Sequence, residues 1–357
     1  MIPGMDPLRA LPAAAYRDPA WLAAEKEGIW HGDWVFAATE DALPTPGDQL
    51  PTLIGDQPVL LLRNQAGELV ALSNLCAHRG TLLVEERTNA ERIQCPYHAW
   101  TYDDAGRLIG VPFGPREALD RSSHGLVKYR AESWHGLVFV SLRHQVESLA
   151  ERFAAVEPHL ATRGIDRLCH QSDWQTTDVW NCNWKVAITN AMESYHLFKV
   201  HPTTLEPYTP TRDAYYITGS ARATATGGAY KDEDDYLLIS LPPGFVGVFT
   251  KDSLVWQAVH PVGVDRCAVR TGVASPSDGG VLGGLGNWFN WAIGAGATRP
   301  DFLKEDKAIC ERIQRGFSGD FVPGRLLPVE RVVADFGHYL NWRLNDVEPP
   351  EVHSERP

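Results

Sequence analysis

Cysteine is scarce. The 357 residues hold six, Cys76, Cys95, Cys169, Cys182, Cys267 and Cys310, too few and too irregularly spaced for the disulfide framework of a small secreted domain. Positive charge is also in deficit, with 33 Lys and Arg against 45 Asp and Glu for a formal net charge of -12. No cationic cluster offers a footprint for phosphates, so nucleic acid is not an expected partner. Long apolar runs are missing. The uncharged stretch from Val281 to Thr298 is dominated by Gly and Ala with two Asn, too polar for a membrane span. Residues 1 to 30 scatter charges through short apolar pieces, without a signal-peptide core or an Ala-x-Ala cleavage pattern. The expectation is a soluble, cytoplasmic protein with no membrane association. Neither a Gly-x-Gly-x-x-Gly fingerprint nor a P-loop is present, because the Gly-rich segment at 279 to 296 lacks the Lys-Ser/Thr ending and the strand-then-helix context.

With 44% hydrophobic and 10% aromatic residues, the chain can build one large or two ordinary cores. Residues 34 to 143 read as a small β domain, with strands at Trp34 to Ala38, Pro58 to Arg63, Leu69 to Asn74, Trp100 to Asp103 and Leu137 to Leu142. Turn chemistry lies at Asn64 to Gly67 and Asp103 to Gly106. From about 145 the pattern becomes mixed α+β: helices are expected near 146 to 163, 183 to 199 and 300 to 316, around β-rich sequence such as Tyr236 to Ile239 and Leu254 to Val259. Residues 1 to 33 and 144 to 357 are assigned to this second domain.

Two constellations carry chemistry. The first is Cys76-Ala-His78-Arg79-Gly80 and Cys95-Pro96-Tyr97-His98, with sixteen residues between His78 and Cys95. Structural zinc sites usually pair like ligands on each arm. Here each arm supplies one Cys and one His, a pattern that suits two metals reached by both arms. Pro96 and Gly80 favour tight turns.

The second constellation begins on the segment Asn183-Trp184-Lys185, with Trp184, Ile188, Ala191 and Tyr195 on one apolar stripe. Between Asn183 and Phe198 the only charges are Lys185 and Glu193, which implies burial on most sides and a need for partners at Glu193 and His196. His201 precedes Pro202, and the residue before a proline leaves helical geometry, so the chain can turn back there. A two-His, one-carboxylate iron site needs one more ligand. Asp306 sits within the stripe Phe302, Ile309, Cys310, Ile313 and Phe317, where a carboxylate is costly unless paired or metal-bound. Glu305, toward the stripe's edge, is its competitor.

The segments Cys76-Ala-His78-Arg79-Gly80 and Cys95-Pro96-Tyr97-His98-Ala99-Trp100-Thr101-Tyr102-Asp103 resemble the cluster-binding loops of Rieske non-haem iron oxygenases, and Asn190-x-x-Glu193-x-Tyr195-His196-x-x-x-x-His201 resembles the iron-binding motif of their catalytic (alpha) subunits. Ala99 stands where the family usually has Gly. The resemblance implies an all-β Rieske domain followed by a helix-grip (START-like) antiparallel-sheet catalytic domain. Cys76, His78, Cys95 and His98 would hold a [2Fe-2S] cluster, and His196, His201 and Asp306 a mononuclear iron(II). Glu193 would be a catalytic bridge between the two centres, with Asn190 beside it. It further implies a homotrimer in which one subunit's cluster serves the next subunit's iron, dioxygen as cosubstrate, and a small-molecule substrate. NAD(P)H would act through a separate flavin/iron–sulfur reductase or ferredoxin. Most ring-dihydroxylating members have Asp at the bridging position. Glu193 therefore leans toward mono-oxygenation, as in quaternary-ammonium monooxygenases, with Tyr195, Phe245, Phe249 and Trp256 as candidates for a cationic cage or for core. The rival enzymatic reading is cis-dihydroxylation of an aromatic ring. The rival of another class is a Rieske electron-transfer or ligand-binding protein.

Overall fold

The computed structural model describes residues 5–113, 119–165, 168–170, 175–230, 234–250, 253–276, 301–350 and 353–354. The Gly-rich segment at 279 to 296 lies outside them. The chain divides into two compact units, Trp30–Leu149 and Met1–Ile29 with Ala150–Pro357, so the first is slightly longer at both ends than the expected 34 to 143.

The unit Trp30–Leu149 is built of β-strands. A seven-stranded sheet runs in the order Val35–Thr39, Leu137–Ser141, Lys128–Trp134, Leu69–Ser73, Gln57–Arg63, Asp48–Ile54 and Thr88–Asn89, every pair antiparallel. A three-stranded sheet, Ile93–Gln94, Thr101–Tyr102 and Leu108–Gly110, carries the second motif. Strand alternation sets the core. Leu60 and Leu62 face one way along their strand and pair with Leu72 and Val70 across it. With Leu83, Ile93, Trp100, Tyr102, Leu108 and Leu126 they form a cluster that also buries Cys76 and Cys95. The strands at 48–54 and 128–134 were not among those expected.

The second unit wraps a nine-stranded antiparallel sheet with helices. From Leu168–His170 the order is Arg266–Pro276, Leu254–Gly263, Phe245–Phe249, Asp234–Leu241, Thr224–Tyr230, Tyr215–Gly219 and His353–Ser354, with Thr176–Trp180 also paired to Arg266–Pro276. The helix Trp184–Ala191 lies between this sheet and the helix Asp301–Gly316, touching both. That position explains its poverty in charge: Trp184, Val186, Ala187 and Ile188 are buried, each large side chain contributing roughly 1.5–3 kcal/mol by leaving water. Its start is fixed by Asn183, whose side chain accepts from the Lys185 amide at 3.0 Å and donates to the Val264 carbonyl at 2.6 Å. Lys185 is fully buried and pairs with an equally buried Glu25 at 2.5 Å, while the Trp184 indole donates to the other Glu25 oxygen at 2.7 Å.

Three helical expectations need correction. The segment 146 to 163 holds two four-residue helices, Leu149–Arg152 and Glu157–Leu160, and a 3-10 turn, because Pro158 begins a new helix instead of continuing the old one. The helix expected over 183 to 199 stops at Ala191, and a separate turn, Leu197–Val200, follows. Tyr195 therefore leaves the apolar stripe and is exposed. Ile313, expected in the stripe of the helix Asp301–Gly316, is likewise exposed, whereas Cys310 and Phe317 are buried. The helix Arg331–Asn345 was not anticipated.

Candidate metal centres

The two Cys/His loops of the first unit share one backbone design. In each, the Cys carbonyl accepts from the amide four residues on, Gly80 at 2.9 Å and Ala99 at 3.0 Å. The Cys amide itself donates five residues on, to Thr81 O and Trp100 O, both at 2.8 Å. The fourth residue must take a positive φ, +73° at Gly80 and +54° at Ala99. Glycine does this freely; alanine pays for it in strain.

The loops place two buried cysteines beneath two histidines at the rim: Cys76 and Cys95 are each 3% exposed, whereas His78 is exposed and His98 partly so. The rings of His78 and His98 lie 4.8 Å apart, and His78 stacks on Trp100 at 4.5 Å. Burial works against a thiolate at Cys95, but the amides of His98 and Tyr97 and the Cys76 thiol outweigh it and lower its pKa. The hydroxyl of fully buried Tyr102 lies 3.2 Å from Cys76 Sγ and accepts from the Ala77 amide at 3.1 Å. The buried Nδ1 of His98 has no protein partner. Paired thiols under paired imidazoles, one with an orphaned nitrogen, fit a two-iron cluster with mixed ligation.

In the second unit, His196 and His201 flank the four-residue turn Leu197–Val200 as its two caps, which brings their rings to 5.2 Å. His201, before Pro202, has left helical geometry with φ -117° and ψ 44°, as expected of a pre-proline residue. Asp306 rises to meet them from the middle of the helix Asp301–Gly316. Its Oδ1 is 2.9 Å from His201 Nε2 and 3.4 Å from His196 Nε2. The candidate ligand atoms of the three residues lie within 4.8 Å of one another.

Each imidazole is held from behind. Glu193 Oε1 accepts from His196 Nδ1 at 2.5 Å, and Glu305 Oε2 accepts from His201 Nδ1 at 2.7 Å and from Thr204 Oγ1 at 2.7 Å. A carboxylate on Nδ1 fixes the ring and leaves Nε2 for a metal, the usual arrangement behind ligating histidines. Glu305 is thus no rival of Asp306; it grips the opposite side of the same His201 ring. Burial resists charge on His196, yet the Asp306 and Glu193 carboxylates push its pKa up to about 9. The same balance raises His201, while the histidines hold buried Asp306 below its ordinary range. Two nitrogens and one carboxylate oxygen at this spacing suit a non-haem iron of the facial-triad type.

His196 and Asp306 border a cavity of about 150 Å³, walled by Leu205, Leu238, Val246, Val248, Val255 and Phe302 among others. Asn190, Glu193, Gln257 and Trp256 also line it. Of the four aromatics considered for a cationic cage, Trp256 alone borders this cavity among the described residues; Phe245 and Phe249 are core, and Tyr195 lies at the exterior beside a second cavity that Glu193 also lines. Trp256 lies directly across the sheet from Gly272, where a Cβ would come within 2.3 Å of the indole.

Residues 33–128 match the sequence profile of the Rieske [2Fe-2S] domain, and residues 165–235 and 214–346 that of the ring hydroxylating alpha subunit (catalytic domain). The chain belongs to the Rieske ring-hydroxylating oxygenase alpha-subunit family. A [2Fe-2S] cluster and a non-haem iron are the cofactors of that family. The chain is 32% identical over 224 residues to the glycine betaine monooxygenase oxygenase subunit of Chromohalobacter salexigens, covering 62% of this chain and 48% of that one. It is 34% identical over 205 residues to the anthranilate 1,2-dioxygenase large subunit of Burkholderia cepacia, covering 54% and 47%. The chain therefore spans about half the length of these curated relatives. Among solved structures, the quaternary ammonium Rieske monooxygenase CntA with gamma-butyrobetaine superposes with a TM-score of 0.79 at 21% identity, over 94% of this chain and 96% of that one. Naphthalene 1,2-dioxygenase from Rhodococcus sp. bound to indole gives 0.79 at 20%, over 94% and 93%. At these identities the likeness is one of fold. Among the described residues, no helix is long and apolar enough to cross a membrane.

Proposed function

We propose that this Rieske oxygenase is the terminal component of a system that inserts oxygen from dioxygen into a small organic substrate, by hydroxylation or demethylation. The observation that carries this reading is the triad His196, His201 and Asp306, of which His196 and Asp306 lie in the wall of an apolar cavity. When bound, the cluster supplies stored electrons and the iron a centre at which dioxygen can be activated. Cys76, His78, Cys95 and His98 would hold the one, and His196, His201 and Asp306 the other. Glu193 and Glu305 keep the two imidazoles oriented, and the aliphatic walls exclude water from the reacting substrate.

Glu193 lines both the inner cavity and the outer one beside Tyr195, which supports a role in relaying a proton toward His98 of a partner subunit in a homotrimer. Asn190, also on the inner wall, would assist there. The likeness to CntA, whose structural study concerns inter-subunit electron transfer, is in keeping with that assembly. Electrons would come from NAD(P)H through a separate reductase or ferredoxin in the cytoplasm.

Mono-oxygenation is favoured by Glu193 and by relatives acting on glycine betaine. Cis-dihydroxylation is the second reading, supported by similarity to anthranilate and toluate dioxygenases. The test begins with anaerobically purified wild type and Asp306→Ala, reduced with dithionite. We expect about three irons and two sulfides per chain with a Rieske resonance, and about one iron fewer with the resonance kept in the variant. Two irons in both proteins would leave an electron-transfer or ligand-binding role instead. Labelled dioxygen then separates the oxygenase readings: one labelled atom in a hydroxylated product, or in the formaldehyde released on demethylation, means mono-oxygenation, and two in the product mean dihydroxylation.

A further inference from the structure

The two carboxylates behind the triad histidines are anchored differently. Glu193 divides its work between its oxygens: Oε1 accepts from His196 Nδ1, while Oε2 accepts from the backbone amides of Tyr195 and His196, the latter at 3.2 Å. Backbone donors within three residues hold it, and its side chain is 13% exposed. Glu305 is held otherwise. It reaches across from the helix Asp301–Gly316 with its side chain 30% exposed, and both of its hydrogen bonds among the described residues fall on one oxygen. Oε2 accepts from His201 Nδ1 and from Thr204 Oγ1, each at 2.7 Å. Thr204 is buried in the turn that follows Pro202, and its amide donates to the His201 carbonyl at 3.3 Å, so one carboxylate oxygen clasps both ends of that turn.

We propose that Thr204 is a positioning residue that tightens ferrous iron binding at the triad by holding Glu305 against His201. This rests on reading the triad as the iron site of an oxygenase. His201 Nε2 now bonds Asp306 Oδ1 at 2.9 Å, and a metal held by those two atoms takes the place of that bond. The ring is then anchored through Nδ1, by Glu305. A partly exposed glutamate has several rotamers and water as a competing partner, so on its own it is a loose anchor. The Thr204 hydroxyl fixes it in one arrangement before the metal arrives, and less order is lost on binding. At His196 the backbone amides already do this for Glu193, which is why the demand for a side-chain donor falls on the other histidine.

The test is anaerobic titration of the cluster-loaded full chain, stripped of mononuclear iron, with ferrous iron in competition with a chromogenic chelator. Thr204→Val keeps the shape and removes the hydroxyl, and should weaken iron binding about tenfold, the worth of one hydrogen bond to a carboxylate. Thr204→Ser restores the hydroxyl and should stay within about twofold of wild type. In a Glu305→Ala background, Thr204→Val should weaken binding by less than about twofold further, because a residue that acts through Glu305 is coupled to it. A threonine that serves only packing would lower stability without this dependence on Glu305. Melting curves and the Rieske resonance report whether each variant is folded, and Thr204→Ala gives the same reading if the Val variant is not. The proposal is overturned if the Val variant binds iron as tightly as wild type, if the Ser variant is as weak as the Val variant, or if the Val substitution weakens binding equally with and without Glu305. Wild type that takes up no iron at the triad overturns this proposal and the oxygenase reading together. Iron affinity requires neither substrate nor dioxygen. The expected pattern without oxygen-dependent turnover would therefore sink the oxygenase reading alone, and turnover without the pattern would sink this one alone.

Discussion

The two candidate metal centres solve opposite problems with the same side chain. At the Cys/His loops the histidines stand at the rim, His78 exposed and His98 leaving Nδ1 unpartnered, above cysteines that belong to a hydrophobic core. At the triad the histidines are enclosed, His201 fully buried, with both ring nitrogens committed. The loops hold their geometry by backbone hydrogen bonds within short stretches. The triad is held partly by Glu193, three residues before His196, and partly by carboxylates delivered to His201 from a helix more than a hundred residues away. Rim histidines suit exchange of electrons with something outside; enclosed ones suit chemistry on a bound molecule.

The difference predicts separable damage. The largest effect is expected at Glu25. Glu25→Ala strands a buried Lys185 beneath the helix that leads into the triad, and should cost about 3–5 kcal/mol. Chemical denaturation should show that loss in the catalytic unit while the Rieske resonance survives; loss of the resonance at the same denaturant concentration would break the comparison. Next is Glu305→Gln, which removes the charge behind His201. Iron affinity should fall roughly 10–100-fold, measured by chelator competition, with sulfide content unchanged.

Smaller effects belong to the loops. Ala99 pays roughly 1–2 kcal/mol for its left-handed φ, and glycine gives back about 0.5–1 kcal/mol in lost freedom. Ala99→Gly should therefore raise the melting temperature of the cluster unit by about 2–4 °C without altering mononuclear iron. The smallest concerns Asp48, buried in the same unit. Burial raises its pKa, but Asn89 and the Thr45 amide and hydroxyl outweigh that and hold it below the ordinary carboxylate value. A depressed folded pKa contributes stability above the unfolded value, and that contribution disappears as pH falls through the folded value. Melting curves from neutral pH down to the acid side of the carboxylate range should fall less steeply for Asp48→Asn than for wild type.

The cluster loops were the easiest part to read from sequence because their ligands, turn residues and spacing are all local. The triad was legible as residues but not as geometry. A continuous helix was expected through Tyr195, and only the break after Ala191 makes His196 and His201 the two caps of a short turn. Glu305 was weighed as a substitute for Asp306, although neighbouring helix positions point about a quarter-turn apart and can grip one ring from two sides. The helix Arg331–Asn345 lacks a side-chain cap and carries Gly337 where Pro7 approaches closely, so its start and period are masked. The strand Thr224–Tyr230 holds Gly227 and Gly228, which look like a turn; Gly228 is instead the bed for the Tyr236 ring. In both cases a tertiary contact chose the residue, and no local pattern reports it.

Gly272 carries that lesson furthest. With no side chain of its own, it lets the Trp256 indole lie flat against the neighbouring strand, a fit that no motif marks. A single added methyl there would meet the ring at 2.3 Å, so the indole or the strand pairing would have to give way. One codon is thus closed to every side chain larger than hydrogen, although it supplies no ligand, no carboxylate and no part of a cluster loop.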